Sequence, residues 1–217
     1  PARRSAGPDH DGFLDKPQEL MVESMPRYMT QNSRNKELWL SLLAIALITA
    51  IYAFVGWWMR AIPPAGAFFG HMLGVLGFIL MLLTEILYSI RKRSNSARWG
   101  SMAAWLQFHI FTGLVGPYLV LLHTSWKFNG LAGATTLLTI IIVISGFIGR
   151  YIYTQIPRTL DGSEIETPAT KFQEAALTRA RKLMTVWHLI HIPIGMALFT
   201  AAFIHIGAAL YYATLLR

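Results

Sequence analysis

The sequence predicts an all-α integral membrane protein, a helical bundle with five transmembrane helices, the N-terminus inside and the C-terminus outside. Three observations carry this expectation. Charged residues make up only 14% of the 217-residue chain, against about 25% in soluble domains. The apolar residues, 54% of the total, are gathered into blocks of roughly 20, long enough to cross a hydrocarbon core as a helix. Successive connections between these blocks alternate between rich and poor in Lys and Arg, which orients the bundle.

The blocks follow one another in a simple order. Residues 1–37 mix charges of both signs with glycine and proline and are expected to form a loosely structured cytoplasmic extension or docking arm, in which His10 carries no signal. Because this polar stretch precedes the first span, Leu38–Trp58, that span does not look like a cleaved signal peptide. The short outer turn "RAIPPAG" leads into Gly66–Ile90, followed by Met102–Thr124 and Leu131–Tyr153. Segment 167–185 sets Phe172, Ala176, Leu177 and Leu183 among charges and is expected to be a short amphipathic helix on the inner surface, open to a partner contact. Val186–Tyr212 is the last span, so residues 38–217 form one transmembrane domain.

All but three of the 19 Lys and Arg residues fall on one side of this arrangement. Arg3 to Lys36 precede the first span, Arg91 to Arg98 lie in the second connection, and Arg150 to Lys182 lie in the fourth. Only Arg60, Lys127 and Arg217 fall on the other side. Excess positive charge marks the cytoplasmic face, and these runs suit anionic lipid rather than nucleic acid, despite a net charge of +8. Tryptophans agree: Trp39, Trp99, Trp105 and Trp187 sit near inner ends of spans, and Trp57, Trp58 and Trp126 near outer ends, as interfacial anchors do. The chain has no cysteine, which excludes a disulfide framework, a thiolate zinc site and a protein-ligated iron–sulfur cluster within it.

Chemistry enters with two matched stretches, "HIFTGLVGPYLVLLH" from His109 to His123 and "HIPIGMALFTAAFIH" from His191 to His205. A helix turns about 100° and rises about 1.5 Å per residue, so fourteen steps return a side chain to within roughly 40° of its direction, about 21 Å further along. Each pair therefore shares one helix face, one histidine toward each membrane surface. The third and fifth spans run parallel, so His109 is expected to meet His191 near the inner side and His123 to meet His205 near the outer side. Opposed imidazoles at two depths suit two ring-shaped metal cofactors, since an imidazole at each axial position makes haem iron an electron carrier. Satisfied structural histidines are the plainer reading, weakened by the rarity of ionisable residues inside membranes. Gly113 and Gly195, each four residues after a first ligand, would let a macrocycle lie against the helix, with Gly116 and Gly207 offering further room; their plainer reading is small-residue packing. Pro117 and Pro193 are tolerated because neighbours re-satisfy the freed backbone groups.

Three further ionisable residues are weaker candidates, for proton transfer. His188 is an alternative ligand, but seventeen residues to His205 is about 100° off the shared face, which favours His191; contact with a propionate or a quinone is its other role. His71, in "FFGHMLG", reads as an interfacial histidine, with proton transfer at an outer quinone site as the sharper alternative. Glu85, the only acidic residue inside any of the five blocks, pairs with Arg91 or Arg150 in the plain reading and relays protons in the other.

These residues resemble the diheme membrane cytochromes b. The likeness is to the haem-bearing four-helix core of the cytochrome b subunit of quinol:cytochrome c oxidoreductases, and more loosely to ferric-reductase-like transmembrane domains. It spans about residues 66–212 and rests on the two His-x13-His pairs and on "RKLMTVWHLIHIPIG". The resemblance implies two b haems stacked across the membrane, ligated by His109, His191, His123 and His205. It also implies electron transfer between a quinone pool and partner redox subunits of iron–sulfur, flavin or cytochrome c type. The chain departs from the pattern in having five spans rather than eight, no counterpart of the quinol-site motif and no Gly-x-Gly-x-x-Gly stretch. The expected function is thus an electron-transfer subunit of a membrane oxidoreductase in a prokaryotic inner membrane. The alternatives are a transmembrane metal or oxygen reductase working with a separate flavin subunit, and a non-redox proton-relaying or structural membrane subunit.

Overall fold

A computed structural model describes residues 35–93, 100–156 and 171–215. Most of the expected N-terminal arm, Trp99, Arg98, Arg158 and Arg217 lie outside the described residues. Five helices follow in order: α1 (Lys36–Met59), α2 (Phe68–Arg93), α3 (Met102–His123), α4 (Gly130–Thr154) and α5 (Lys171–Leu215). Each contains a stretch long and apolar enough to cross a membrane.

Two tethers establish that α1 to α4 alternate in direction. At one end, Arg150 near the close of α4 meets Glu37 at the start of α1, Nη1 to Oε1 2.9 Å. At the other end, Ser125 after α3 donates its hydroxyl proton to the Pro63 carbonyl between α1 and α2, at 2.6 Å. The backbone pairs α2 closely with α3 and α4 with α5, α1 packs on α3, and α4 touches α3. Among the described residues, no Cα of α3 comes within 8 Å of α5. Side chains alone link α2 to α5 at mid-length, where the Phe78 ring meets Phe199 at 6.4 Å and Phe203 at 5.4 Å, edge to face.

The α2–α3 seam has an apolar core of Leu73, Val115, Leu119 and Leu122, whereas α4 is largely polar or small on its buried face and apolar on its exposed one, the reverse of a soluble helix. In α4 the buried residues are Thr135, Thr136, Thr139, Ser145, Gly149 and Ile152, and each of the three threonine hydroxyls donates to a carbonyl one turn back at 2.8–2.9 Å. Leu137, Ile140, Ile144 and Phe147 of the same helix are exposed. In water this exposure would be costly; in lipid the hydrophobic effect gives no drive to bury them, and small residues let backbones approach. The α2–α3 crossing shows the approach directly. A Cβ on Gly116 would lie 3.0 Å from the Gly77 carbonyl oxygen, and one on Gly77 2.8 Å from that of Gly116. Gly116 is therefore a packing residue and not room beside the histidine face, whereas Gly207 has no neighbour within 4 Å.

The expected short amphipathic helix and the last span are one continuous helix of 45 residues, about 67 Å long. Helix formers fill residues 171–185 and no glycine or proline occurs before Pro193, so nothing breaks the chain where a surface helix would have to turn. The extension stays attached to the bundle through Leu177 and Ala180, which bury against Ile156 just past α4, with Met184 beside them. Both proline-containing helices run on unbroken, with Pro117 buried and Pro193 exposed.

Glu37, placed by the sequence in the arm, is an acidic partner of Arg150. The Glu37 side chain is 4% exposed and the Arg150 side chain 13%, and Arg150 also donates to Asn35 Oδ1 at 2.9 Å. Removing one member of a buried pair leaves the other charge uncompensated, at a cost of about 3–5 kcal/mol. Glu37→Ala is therefore expected to lower the melting temperature of the detergent-purified protein, with Arg150→Ala adding little on top of it. Additive losses in the double variant would mean that the two residues do not act as a pair.

Candidate functional site

The histidines fall into two tiers, each assembled from neighbouring helices. In the first tier, His109 of α3 turns its Nδ1 to the main-chain carbonyl of Thr84 on α2, 3.2 Å away. Thr84 is itself pinned: its hydroxyl donates to Thr112 Oγ1 at 2.6 Å, and the Thr112 hydroxyl donates to the Phe108 carbonyl at 2.8 Å. Thr112 is 1% exposed, so this chain of hydroxyls lies inside the α2–α3 seam. His191 of α5 places Nδ1 3.0 Å from the Ser145 hydroxyl of α4. The Trp187 indole stacks on the His191 ring, centroids 4.5 Å apart and planes 26° from parallel.

In the second tier, His123 Nδ1 lies 2.8 Å from the Gly70 carbonyl of α2. Gly74, one turn on, makes space for that ring, since a Cβ there would sit 2.8 Å from His123 Cγ. His205 of α5 is half-buried. Across the gap between α3 and α5, His191 lies within electrostatic reach of His109, and His205 within reach of His123.

A carbonyl oxygen can only accept, so Nδ1 of His109 and of His123 must carry the proton. That fixes the neutral tautomer in which Nε2 keeps its lone pair, the form that ligates a metal. Among the described residues, no group of three or more His, Asp or Glu side chains converges as a metal site would require. A metal held here would take two imidazoles from the protein and its remaining ligands from a ring it brought with it. Gly113 and Gly195 suit such a ring. A Cβ on Gly113 would meet only Thr84 Cγ2 at 3.7 Å, and one on Gly195 only Ile142 Cδ1 at 3.9 Å, so helix packing does not require glycine at either position.

The three weaker candidates each lie near a tier histidine, without converging on one another. His188 directs Nδ1 to the Met184 carbonyl of its own helix at 2.9 Å and lies within electrostatic reach of His191. His71 is exposed, with its ring 6.3 Å from that of His123 and edge-on to it. Glu85 is exposed, lies within reach of His109, and accepts a long 3.5 Å hydrogen bond from Ser89.

Sequence reasoning missed the supporting residues Thr84, Thr112, Ser145, Gly74 and Gly149, and the contacts of Trp187 with α4. Trp187 is half-buried; it fits against Gly149, where a Cβ would come within 2.2 Å of the indole. A signal did exist, because Ser145 in "IIIVISGFIGR" is the one hydroxyl in an apolar run at the depth of His191. No protein-family model matches the chain, and neither a curated protein nor a solved structure matches it significantly.

Proposed function

We propose that this chain is a transmembrane electron-transfer subunit of cytochrome b type, binding one haem b at each histidine tier. The observation that carries the reading is the anchoring of His109 and His123 through Nδ1 to main-chain carbonyls of α2. Structural histidines need hydrogen bonds too, but here the same anchoring of Nδ1 to an α2 carbonyl recurs at both ends of α3, and each time it selects the tautomer whose lone pair is on Nε2. Haem iron gripped by an imidazole on each side supplies one-electron transfer and leaves no position for oxygen.

The protein's own part is to hold geometry. The α2 carbonyls set the tautomer and the ring orientation on α3. Thr112 holds Thr84, and so keeps the carbonyl beneath His109 in place. Gly113 and Gly195 keep both helix faces flat one turn beyond the first-tier histidines. The apolar exterior excludes water and raises the strength of every electrostatic contact at the tiers. The orientation with the N-terminus inside, the inner cell membrane, the quinone pool and the peripheral redox partners belong to the same proposal. They rest on the charge asymmetry and on the resemblance of the histidine stretches to diheme cytochromes b.

A reduced-minus-oxidised spectrum of the purified protein, with pyridine haemochrome quantitation, tests the reading. Two haems b per chain are expected. A protein purified from haem-sufficient cells with no Soret band would overturn it in favour of a proton-relaying or structural membrane subunit.

A further inference from the structure

Three of the tier histidines have an Nδ1 partner on a neighbouring helix, and they are not equivalent. His109 and His123 are tied to main-chain carbonyls, which no side-chain substitution removes. His191 is tied to a side-chain hydroxyl, Ser145 Oγ. That hydroxyl belongs to a closed three-residue arrangement. The Trp187 indole donates Nε1–H to the Ser145 carbonyl at 2.7 Å, while the face of the same indole stacks on the His191 ring. Ser145 is 9% exposed. Gly149, one turn further along α4, is the position whose missing Cβ admits the indole.

We infer that Ser145 and Trp187 are positioning residues that set the ring plane and the donor strength of His191, and through it the redox potential of the first tier alone. This rests on the haem reading above. With Nε2 committed to a metal, Nδ1 must bear the proton and donate it to Ser145 Oγ. An imidazole that donates from Nδ1 is a more basic ligand at Nε2, and a more basic ligand favours the oxidised, more positive iron. Ser145 therefore lowers the first-tier potential. Trp187 acts differently: it holds the Ser145 main chain and blocks rotation of the imidazole about its own axis, so it fixes the angle between the His191 plane and that of His109. In the second tier, among the described residues, no hydroxyl is hydrogen-bonded to His205, and His123 uses the Gly70 carbonyl.

The test is a redox titration followed optically, with low-temperature electron paramagnetic resonance, on the full chain and on Ser145→Ala, Ser145→Thr and Trp187→Phe. Wild-type spectra come first: without two haems the proposed function fails, and this inference falls with it. Given two haems, Ser145→Ala is expected to raise the midpoint potential of one and leave the other unchanged, and Ser145→Thr to restore the wild-type value. Trp187→Phe keeps an aromatic ring but loses the Nε1–H donor, and is expected to shift the low-spin g values of the same haem. Loss of that haem alone in either variant, with the other intact, has the same meaning, because only one tier depends on the arrangement. Unchanged potentials and g values in both variants, or equal shifts of both haems, would refute the positioning role while leaving the two-haem reading standing. A potential that stays raised in Ser145→Thr would also count against it, since the hydroxyl is then not the cause.

Discussion

Replacing His191 with alanine is expected to halve the haem content per chain, and replacing His191 and His205 together to abolish it. The expectation follows from the separation of the tiers. In the proposed reading His109 and His191 hold one ring and His123 and His205 the other, and nothing among the described residues ties one tier's ligands to the other's. One imidazole alone leaves the ring held on one side. The obvious substitute is His188, three residues earlier on α5 and within reach of the first tier. Its Nδ1 is turned to the carbonyl of Met184 on its own helix, which ties the ring along α5 and not toward α3. His188→Ala is accordingly expected to keep both haems. Pyridine haemochrome assays against protein mass would check the series, with circular dichroism at 222 nm confirming that helix content is unchanged. Two haems retained in all four single alanine variants would leave the histidine tiers without a role in binding.

The five long apolar helices could be read from the sequence because unbroken apolar blocks of membrane length show in hydropathy alone. Four of the five spans end within about two residues of where the apolar blocks end, since the boundary is set by the transfer cost of charge into lipid. The last span departs from this because the boundary there is not a break in the chain. Residues 171–185 have strong helix formers and no punctuation, so α5 continues past the membrane-length block, and hydropathy is blind to that. Partners across helices were harder to foresee. Glu37 lies one residue before the first apolar block and Arg150 lies four before the end of α4, and only three-dimensional packing brings them together. Trp187 was placed near an interface from its position at the end of an apolar block, and that position says nothing of Gly149, whose missing Cβ makes room for the indole against α4. The supporting hydroxyls of Thr84 and Ser145 lie in largely apolar blocks, where threonines that merely bond back to their own helix, such as Thr136, also occur.

Gly113→Ala and Gly195→Ala are expected to separate haem binding from folding, and Gly116→Ala is the control that does the opposite. At Gly116 a methyl group would press on the Gly77 carbonyl oxygen at 3.0 Å, Met81 Cγ at 3.0 Å and Leu80 Cβ at 3.2 Å. Overpacking of that kind costs about 1–3 kcal/mol, and because α2 supplies the carbonyls that anchor His109 and His123, Gly116→Ala should weaken both tiers together. At Gly113 and Gly195 the same methyl group meets protein only at 3.7 and 3.9 Å, ordinary contact. Alanine in place of glycine inside a helix gains roughly 0.5–1 kcal/mol from the lost backbone freedom of the unfolded chain, so the apoprotein should be as stable as wild type or more so. A ring lying against the histidine faces meets those methyl groups directly. If the crowding costs the same 1–3 kcal/mol, haem affinity at the first tier falls roughly 5- to 150-fold, while the second tier keeps its haem. Thermal melts of the apoprotein and haem titrations of the same preparations give the two readouts independently. Undiminished haem affinity in both variants would mean that these glycines do not line the cofactor, and the histidines would then have to hold a ring tilted away from both helix faces.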